Sequence, residues 1–364
     1  MLGCDYKGNE EKMDMRVAII GAGSLGTIVG AFMNKQGKEV DLIDVNQENV
    51  SALNEKGATV TGFIELNVPV RAYTPDQMSG HYDLVFLLNK QTTNRVVLKG
   101  LLPFLHEASI VCTLQNGIPE ESVAEVVGRE RTIGGAVGFG ATWLGPGLSR
   151  LTTTQEAVKK FAFEIGELDG VLRPRLEAVK EYLQCVGTTE ILSNLTGIRW
   201  AKVLMNATFS GMSAALGCTF GNVLYDPKAM TCLAFIADEC IKVSHAQGIR
   251  LARMQGEDME SFEFNDPAEI PSKMPLYKKI WGQHVELKAS MLQDLEKGRD
   301  CEIEFINGII CRKGRETGIA TPFNDKVVEL VTEAQNRRGV NDFSYLSRFD
   351  ELLDRYAKGV AVTL

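Results

Sequence analysis

Two groups of residues in this chain have types and spacings that suit chemistry. The first is Gly21-Ala-Gly23-Ser24-Leu25-Gly26, a G-x-G-x-x-G that follows the apolar run Val17-Ala-Ile-Ile20 and opens a helical stretch. Gly21 permits a tight turn, Gly23 lets the backbone approach a pyrophosphate, and Gly26 lets helix and strand pack closely. The helix start, with Ser24 and Leu25, offers free N–H groups and a partial positive charge to phosphates. Asp44 ends the next strand, eighteen residues past Gly26, and no arginine follows it (Val45, Asn46). A carboxylate there accepts hydrogen bonds from an adenosine ribose and repels a 2′-phosphate, which favours NAD(H) over NADP(H). The plainer alternative is that Asp44 caps the following helix.

The second group is Lys202, Asn206 and Ser210, with Glu302 farther on. On an α-helix, Asn206, Ser210 and Ser213 fall within about 80° of Lys202, while Trp200, Leu204, Ala207 and Gly211 take the opposite side. The polar line then faces a cleft or solvent, and a merely solvated face is the ordinary alternative. Glu302 opens a helical segment, Glu302-Ile-Glu-Phe-Ile-Asn307-Gly308, that turns apolar. A lysine and a glutamate meeting across a cleft suit proton delivery to a carbonyl that is receiving hydride.

These residues need a scaffold. The chain has 364 residues, beyond the ~250–300 at which single cores stop growing, which implies two domains. Residues 1–192 read as an α/β Rossmann-type dinucleotide domain: a parallel sheet from strands such as Tyr82–Leu87 and Ser109–Thr113, with an antiparallel extension over Thr132–Thr154 and Phe161–Gly166. Residues 193–364 read as an all-α domain with helices at Ile198–Leu216, Pro227–Gln247, Gln283–Lys297, Ile303–Thr317, Asn324–Arg338 and Tyr345–Lys358. Met254–Trp281 is polar and carries Pro267, Pro271 and Pro275; it reads as an inserted surface loop, a mobile lid being the alternative. Residues 1–14 read as a tail.

Composition excludes several classes. A net charge of −8 disfavours nucleic acid. No apolar run approaches the ~20 residues of a membrane span, and the charged start has no signal-peptide core. The eight cysteines show no C-x-x-C pair and the four histidines no ligand spacing. The expectation is packed, reduced thiols in a cytoplasmic protein with no metal site. A homodimer through the helical domain is compatible with the sequence but not required by it.

Taken together, the pieces resemble the ketopantoate reductase (2-dehydropantoate 2-reductase) family. The resemblance runs from about Met15 to Arg338. It rests on the glycine turn, Leu87-Leu-Asn-Lys90, Thr113-Leu-Gln-Asn116-Gly117, Arg199-Trp-Ala-Lys202-Val-Leu-Met-Asn206, Ser290-Met-Leu-Gln-Asp294, Glu302-Ile-Glu-Phe-Ile-Asn307-Gly308 and Gly318-Ile-Ala-Thr-Pro-Phe-Asn324. It implies a cleft between the domains for cofactor and 2-oxo acid, with hydride passing from nicotinamide to the keto carbon. It also implies Lys202 as general acid and Glu302 orienting substrate or lysine. Asn116 and Lys90 would line the cofactor and substrate pocket, and Asn206 and Ser290 would bind substrate oxygens. The chain departs from the pattern at Ser210 and Phe220, where asparagines are expected, and at Asp44-Val45, since the family commonly uses NADP(H). These departures leave the reaction type and open the substrate: ketopantoate, or a bulkier 2-oxo acid contacting Phe220 and the 254–281 segment. A nucleotide-binding sensor without catalysis is the reading from a different class.

Overall fold

The computed structural model describes residues 15–254 and 256–357; the expected tail at 1–14 lies outside the described residues. In chain order come β1 (Val17–Ile20), α1 (Ser24–Lys35), β2 (Val40–Ile43), α2 (Gln47–Lys56), β3 (Ala58–Gly62), β4 (Leu66–Val68), β5 (Arg71–Tyr73) and β6 (Tyr82–Leu87). Next are α3 (Asn94–Leu101), β7 (Leu105–Thr113), α4 (Glu120–Val127), β8 (Thr132–Val137), β9 (Ala141–Gly145) and β10 (Leu148–Leu151). The series ends with α5 (Gln155–Lys160), β11 (Phe163–Glu167), α6 (Arg175–Leu183) and β12 (Thr189–Ile191).

All four residues of β1 are buried, and so is most of β6. Strands apolar on both faces need cover on both sides, and they sit in the middle of a parallel sheet. The order is β12-β11-β8-β7-β6-β1-β2-β5, with β11 running antiparallel to β8. The expected extension over Thr132–Thr154 is corrected in part. Only β8 stays in this sheet. The chain leaves this sheet at Gly138-Phe139-Gly140, and β9 and β10, a hairpin that turns at Pro146-Gly147, join β3 and β4 in a second sheet, order β4-β3-β10-β9, packed on α1. β8 is buried throughout, whereas β9 is half exposed. A hairpin with one wet face fits an outer layer better than the buried sheet.

The rest is helical: α7 (Leu195–Met205), a π-helical turn at Asn206–Ser210, α8 (Gly211–Leu216), α9 (Phe220–Tyr225), α10 (Pro227–Ala246), α11 (Ile270–Trp281), α12 (Ser290–Glu296), α13 (Asn307–Thr317), α14 (Pro322–Asn336) and α15 (Asp350–Ala357). Asn194 caps α7 by accepting from the Gly197 N–H at 2.9 Å. The expected single helix at Ile198–Leu216 is broken by the π turn, where Thr208 donates its hydroxyl to the Leu204 and Met205 carbonyls. The expected helix at Gln283–Lys297 shrinks to α12. Val285 and Leu287 carbonyls accept the first N–H groups of α9, Gly221 at 2.8 Å and Phe220 at 2.9 Å, and are not free for a helix of their own.

The Met254–Trp281 segment is not the expected surface loop or lid. α11 buries Tyr277 and Trp281 in an aromatic cluster with Phe209, Phe220 and Phe262. Ring centroids lie 4.7 Å apart for Phe209 and Trp281, and 4.2 Å for Phe262 and Tyr277. Pro267 and Pro271 open a short helical turn and α11, while these few large side chains carry the packing. Trp281→Ala is therefore expected to cost about 3–5 kcal/mol of unfolding free energy, read by urea denaturation. A cost below about 0.5 kcal/mol would return the segment to the surface.

Candidate functional site

Gly21 takes φ +94° and its N–H donates to the Ile43 carbonyl at 2.8 Å, which ties the end of β1 to β2. A Cβ there would meet the Asn89 nitrogen at 2.5 Å, and one at Gly26 would meet the Gly21 carbonyl oxygen at 2.0 Å. A Cβ at Gly23 would meet nothing within 4 Å. The turn is thus crowded on the protein side and open on the other. α1 has no side-chain cap and no acidic residue in its first turn. Ser24 and Leu25 therefore present N–H groups that an anion can accept from. These features fit a dinucleotide pyrophosphate.

Asp44 follows β2. Its carboxylate accepts from the Asn46 N–H at 2.9 Å and from the Asn49 side-chain amide at 3.1 Å. It shapes the turn, while Asn46 does the capping of α2. A carboxylate has lone pairs for more than two bonds, so a ribose can still be held. Val45 beside it is 81% exposed.

Past the ends of β6 and β7 the two halves of the chain meet. Glu302 accepts from the Gln91 backbone N–H at 2.9 Å, and the Asn116 side chain also hydrogen-bonds its carboxylate. Gln91 in turn donates its side-chain amide to the Asn116 carbonyl. Lys90 forms an ion pair with Asp294 of α12. Burial pushes the Glu302 carboxyl up from its ordinary range; the Gln91 N–H, the Lys90 charge and Asn116 oppose this. Lys90, Asn116 and Glu302 are thus brought together. Gln91 and Asp294 were not singled out by sequence reasoning. Gln91 adjoins Lys90, and Asp294 closes the quoted Ser290–Asp294 motif without having been given a role.

Arg199 holds α7 against the sheet. Its guanidinium pairs with Glu120 of α4 and donates to the Gln115 carbonyl at 2.6 Å and the Thr113 carbonyl at 2.9 Å. Both charged side chains are almost wholly buried. Sequence reasoning missed this pair, since nothing links positions 120 and 199 before folding.

Lys202, one turn on, donates to the Val137 carbonyl at the end of β8, 3.0 Å away. Burial pushes its ammonium pKa down; Glu164 opposes this and Arg199 adds to it. Among the described residues Lys202 and Glu302 share no hydrogen bond or ion pair. Asn206 and Ser210 open and close the π turn and are half-buried. The turn breaks the 100° spacing, so Ser213 leaves the Lys202 face. It is buried and donates to the Cys218 carbonyl at 2.6 Å. Ser290 is exposed on the first turn of α12. Phe220 packs against Phe209 at 5.6 Å between centroids and belongs to the core, so it does not offer the substrate wall expected of it.

Residues 17–164 match the family described as ketopantoate reductase PanE/ApbA, and residues 194–335 match its C-terminal part. The 2-dehydropantoate 2-reductase of Archaeoglobus fulgidus is 31% identical over 317 residues, 87% of this chain and 96% of that one. The chain belongs to the ketopantoate reductase family. Membership makes it an oxidoreductase of 2-oxo acids that uses a nicotinamide cofactor. Among solved ketopantoate reductases, the 2-dehydropantoate 2-reductase of Geobacter metallireducens superposes with a TM-score of 0.73 at 26% identity, covering 88% of this chain and 100% of that one. A ternary complex of D-mandelate dehydrogenase with NADH and anilino(oxo)acetate is also similar: TM-score 0.75, 25% identity, 89% and 99% covered.

The Arg199–Glu120 pair generates a test. Arg199→Met leaves a buried carboxylate alone and is expected to cost about 3–5 kcal/mol, whereas Arg199→Met with Glu120→Met is expected to recover most of that. Urea denaturation of the two variants beside the parent reads both values. A single variant as stable as the parent would show that the pair does not hold α7.

Proposed function

We propose that this protein reduces a 2-oxo acid to the 2-hydroxy acid, with ketopantoate the leading substrate and NADH the preferred donor. The observation that carries the reading is the contact across the chain at the strand ends: Glu302 held by Gln91 and Asn116, with Lys90 alongside, near the open turn at Gly23. In this reading residues 1–192 form the dinucleotide domain and 193–364 the substrate domain. The bound cofactor supplies hydride to the keto carbon.

The protein supplies the rest. Gly21, Gly23, Ser24, Leu25 and Gly26 hold the pyrophosphate, and Asp44 the ribose. Lys202 leaves the Val137 carbonyl and donates a proton to the substrate oxygen as negative charge develops there. Its depressed pKa makes the ammonium a readier acid. Glu302 and Asn116 orient the substrate beside the nicotinamide, and Asn206, Ser210 and Ser290 bind its oxygens. Lys90 attracts the carboxylate in competition with Asp294. Free, mostly buried cysteines among the described residues support a reducing, cytoplasmic setting.

A second reading keeps the chemistry and enlarges the substrate. D-mandelate dehydrogenase, similar over nearly its whole length, binds NADH and anilino(oxo)acetate. Ser210 is smaller than the asparagine expected at its position, and offers one hydroxyl in place of an amide, which leaves more room and fewer hydrogen bonds for a substrate hydroxyl. A site that lacks a partner for a substrate hydroxyl loses discrimination for it. The NADH-bound relative and Asp44 together support NAD(H).

Lys202→Ala is expected to lower kcat by ~10²–10⁴ with little change in cofactor affinity, measured by steady-state kinetics and NADH titration. An unchanged kcat removes Lys202 from the chemistry. In the reductive direction kcat falls as pH rises through the lowered lysine pKa, because the proton donor is lost. A panel of 2-oxo acids, followed by NADH and NADPH absorbance, separates the two substrate readings; turnover of none would favour a sensor. Asp44→Ala is expected to narrow the gap between NADH and NADPH, and a parent enzyme that already prefers NADPH would refute the cofactor reading.

A further inference from the structure

Behind Lys202 lies a feature that the proposed reduction does not use. β11 and β12 run parallel, with Glu164 opposite Glu190 at the same register. Two carboxylates directly opposed on neighbouring strands cost stability. Between Glu164 and Lys202 there is a cavity of about 40 Å³, lined by both residues and rimmed by Lys160, Thr188, Glu190 and Met254. A space of roughly 10–15 Å³ on this measure already accommodates one water with polar partners. Among the described residues Glu164 makes no direct ion pair with Lys202, although each perturbs the other electrostatically.

We propose that Glu164 is a positioning residue and proton reservoir for Lys202, connected to it through water in this cavity. The inference rests on the reading of Lys202 as general acid. When the ammonium has given its proton to the substrate oxygen, the amine lone pair takes a proton from a water. That water takes one from the Glu164 carboxylic acid, whose O–H bond breaks. The resulting carboxylate is reprotonated from solvent at the rim, where Glu190 is exposed. One solvent proton enters per turnover, which matches the one proton that reduction of a carbonyl by hydride consumes.

The charges facing the cavity agree with this role. Glu164 comes from β11, Glu190 from β12, Lys160 from α5, and Lys202 from α7, where Arg199 adds a further positive charge nearby. Burial first, and Glu190 second, push Glu164 up to about 7, with Lys202 opposing. Near neutral pH the carboxyl therefore holds a proton and can also release it. When ionised it favours a charged lysine, offsetting burial and Arg199. None of this needs Glu164 to touch the substrate.

The test uses the full-length enzyme and the kcat–pH profile of 2-oxo acid reduction. Glu164→Gln is expected to lower kcat about tenfold near pH 6.5, where the parent carboxyl is mostly protonated, and to remove the ionisation near neutrality, leaving KM for the cofactor unchanged; Glu164→Asp is expected to restore the ionisation. Glu190→Gln removes the neighbouring charge from an exposed position, and is expected to move that ionisation to lower pH. It carries the test if Glu164→Gln does not fold. A parental profile in Glu164→Gln or, failing that variant, in Glu190→Gln overturns the relay. Lys202→Ala, run in parallel, separates the levels. If it is impaired while the Glu164 profile is parental, the functional reading stands and only the relay falls. If Lys202→Ala keeps full kcat, both fall.

Discussion

An arginine cannot shed its charge on burial, so a chain that buries one must surround it with acceptors. Arg199 is buried on α7, and its acceptors come from the other half of the molecule: the Glu120 carboxylate and the carbonyls at the end of β7. Removing any acceptor would leave charge or polarity unsatisfied in a dry interface, which is far more costly than a surface pair. This constraint seats α7 on the sheet edge. Lys202 is three residues along the same helix, and Asn116 directly follows one of the bonded carbonyls. One interlock therefore places both the lysine and the asparagine at the ends of the parallel strands, where open α/β sheets bind their ligands.

The same interlock explains the electrostatic setting of Lys202. A second cation on the same helix and the loss of water both oppose its charge, and Glu164 opposes them in turn. The Val137 carbonyl supplies one acceptor and leaves the other ammonium hydrogens for partners in the cavity or cleft. Across the cleft, Glu302 is held by a backbone N–H and an amide rather than by a cation in direct contact. The whole chain carries −8, yet the turn at Gly23 is a helix start free of acidic residues. Positive potential is thus local, made from backbone dipoles and from a lysine that an anion must share with Asp294.

Much of this was written in local sequence. The glycine turn between β1 and α1 was legible because its meaning depends on a few contiguous residues. The parallel strands were legible because burial on both faces forces unbroken apolar runs. Lys90, Asn116, Lys202 and Glu302 were legible as residue types within motifs.

What the sequence by itself determined, then, is the set of local conformations and the inventory of chemical groups. Tertiary structure decided which groups meet. The Arg199–Glu120 pair joins residues far apart along the chain, and no periodicity announces it. The hairpin of β9 and β10 left the sheet because one face is wet. The stretch ending at Trp281 looked polar, since composition counts residues equally while packing is dominated by a few large rings. Ser213 left the lysine's face because a π turn changed the helical phase, and Phe220 went to the core because Phe209 was there to receive it. Apart from the π turn, whose hydrogen bonds lie within one helix, the cause is packing between separate elements, which a local pattern does not encode.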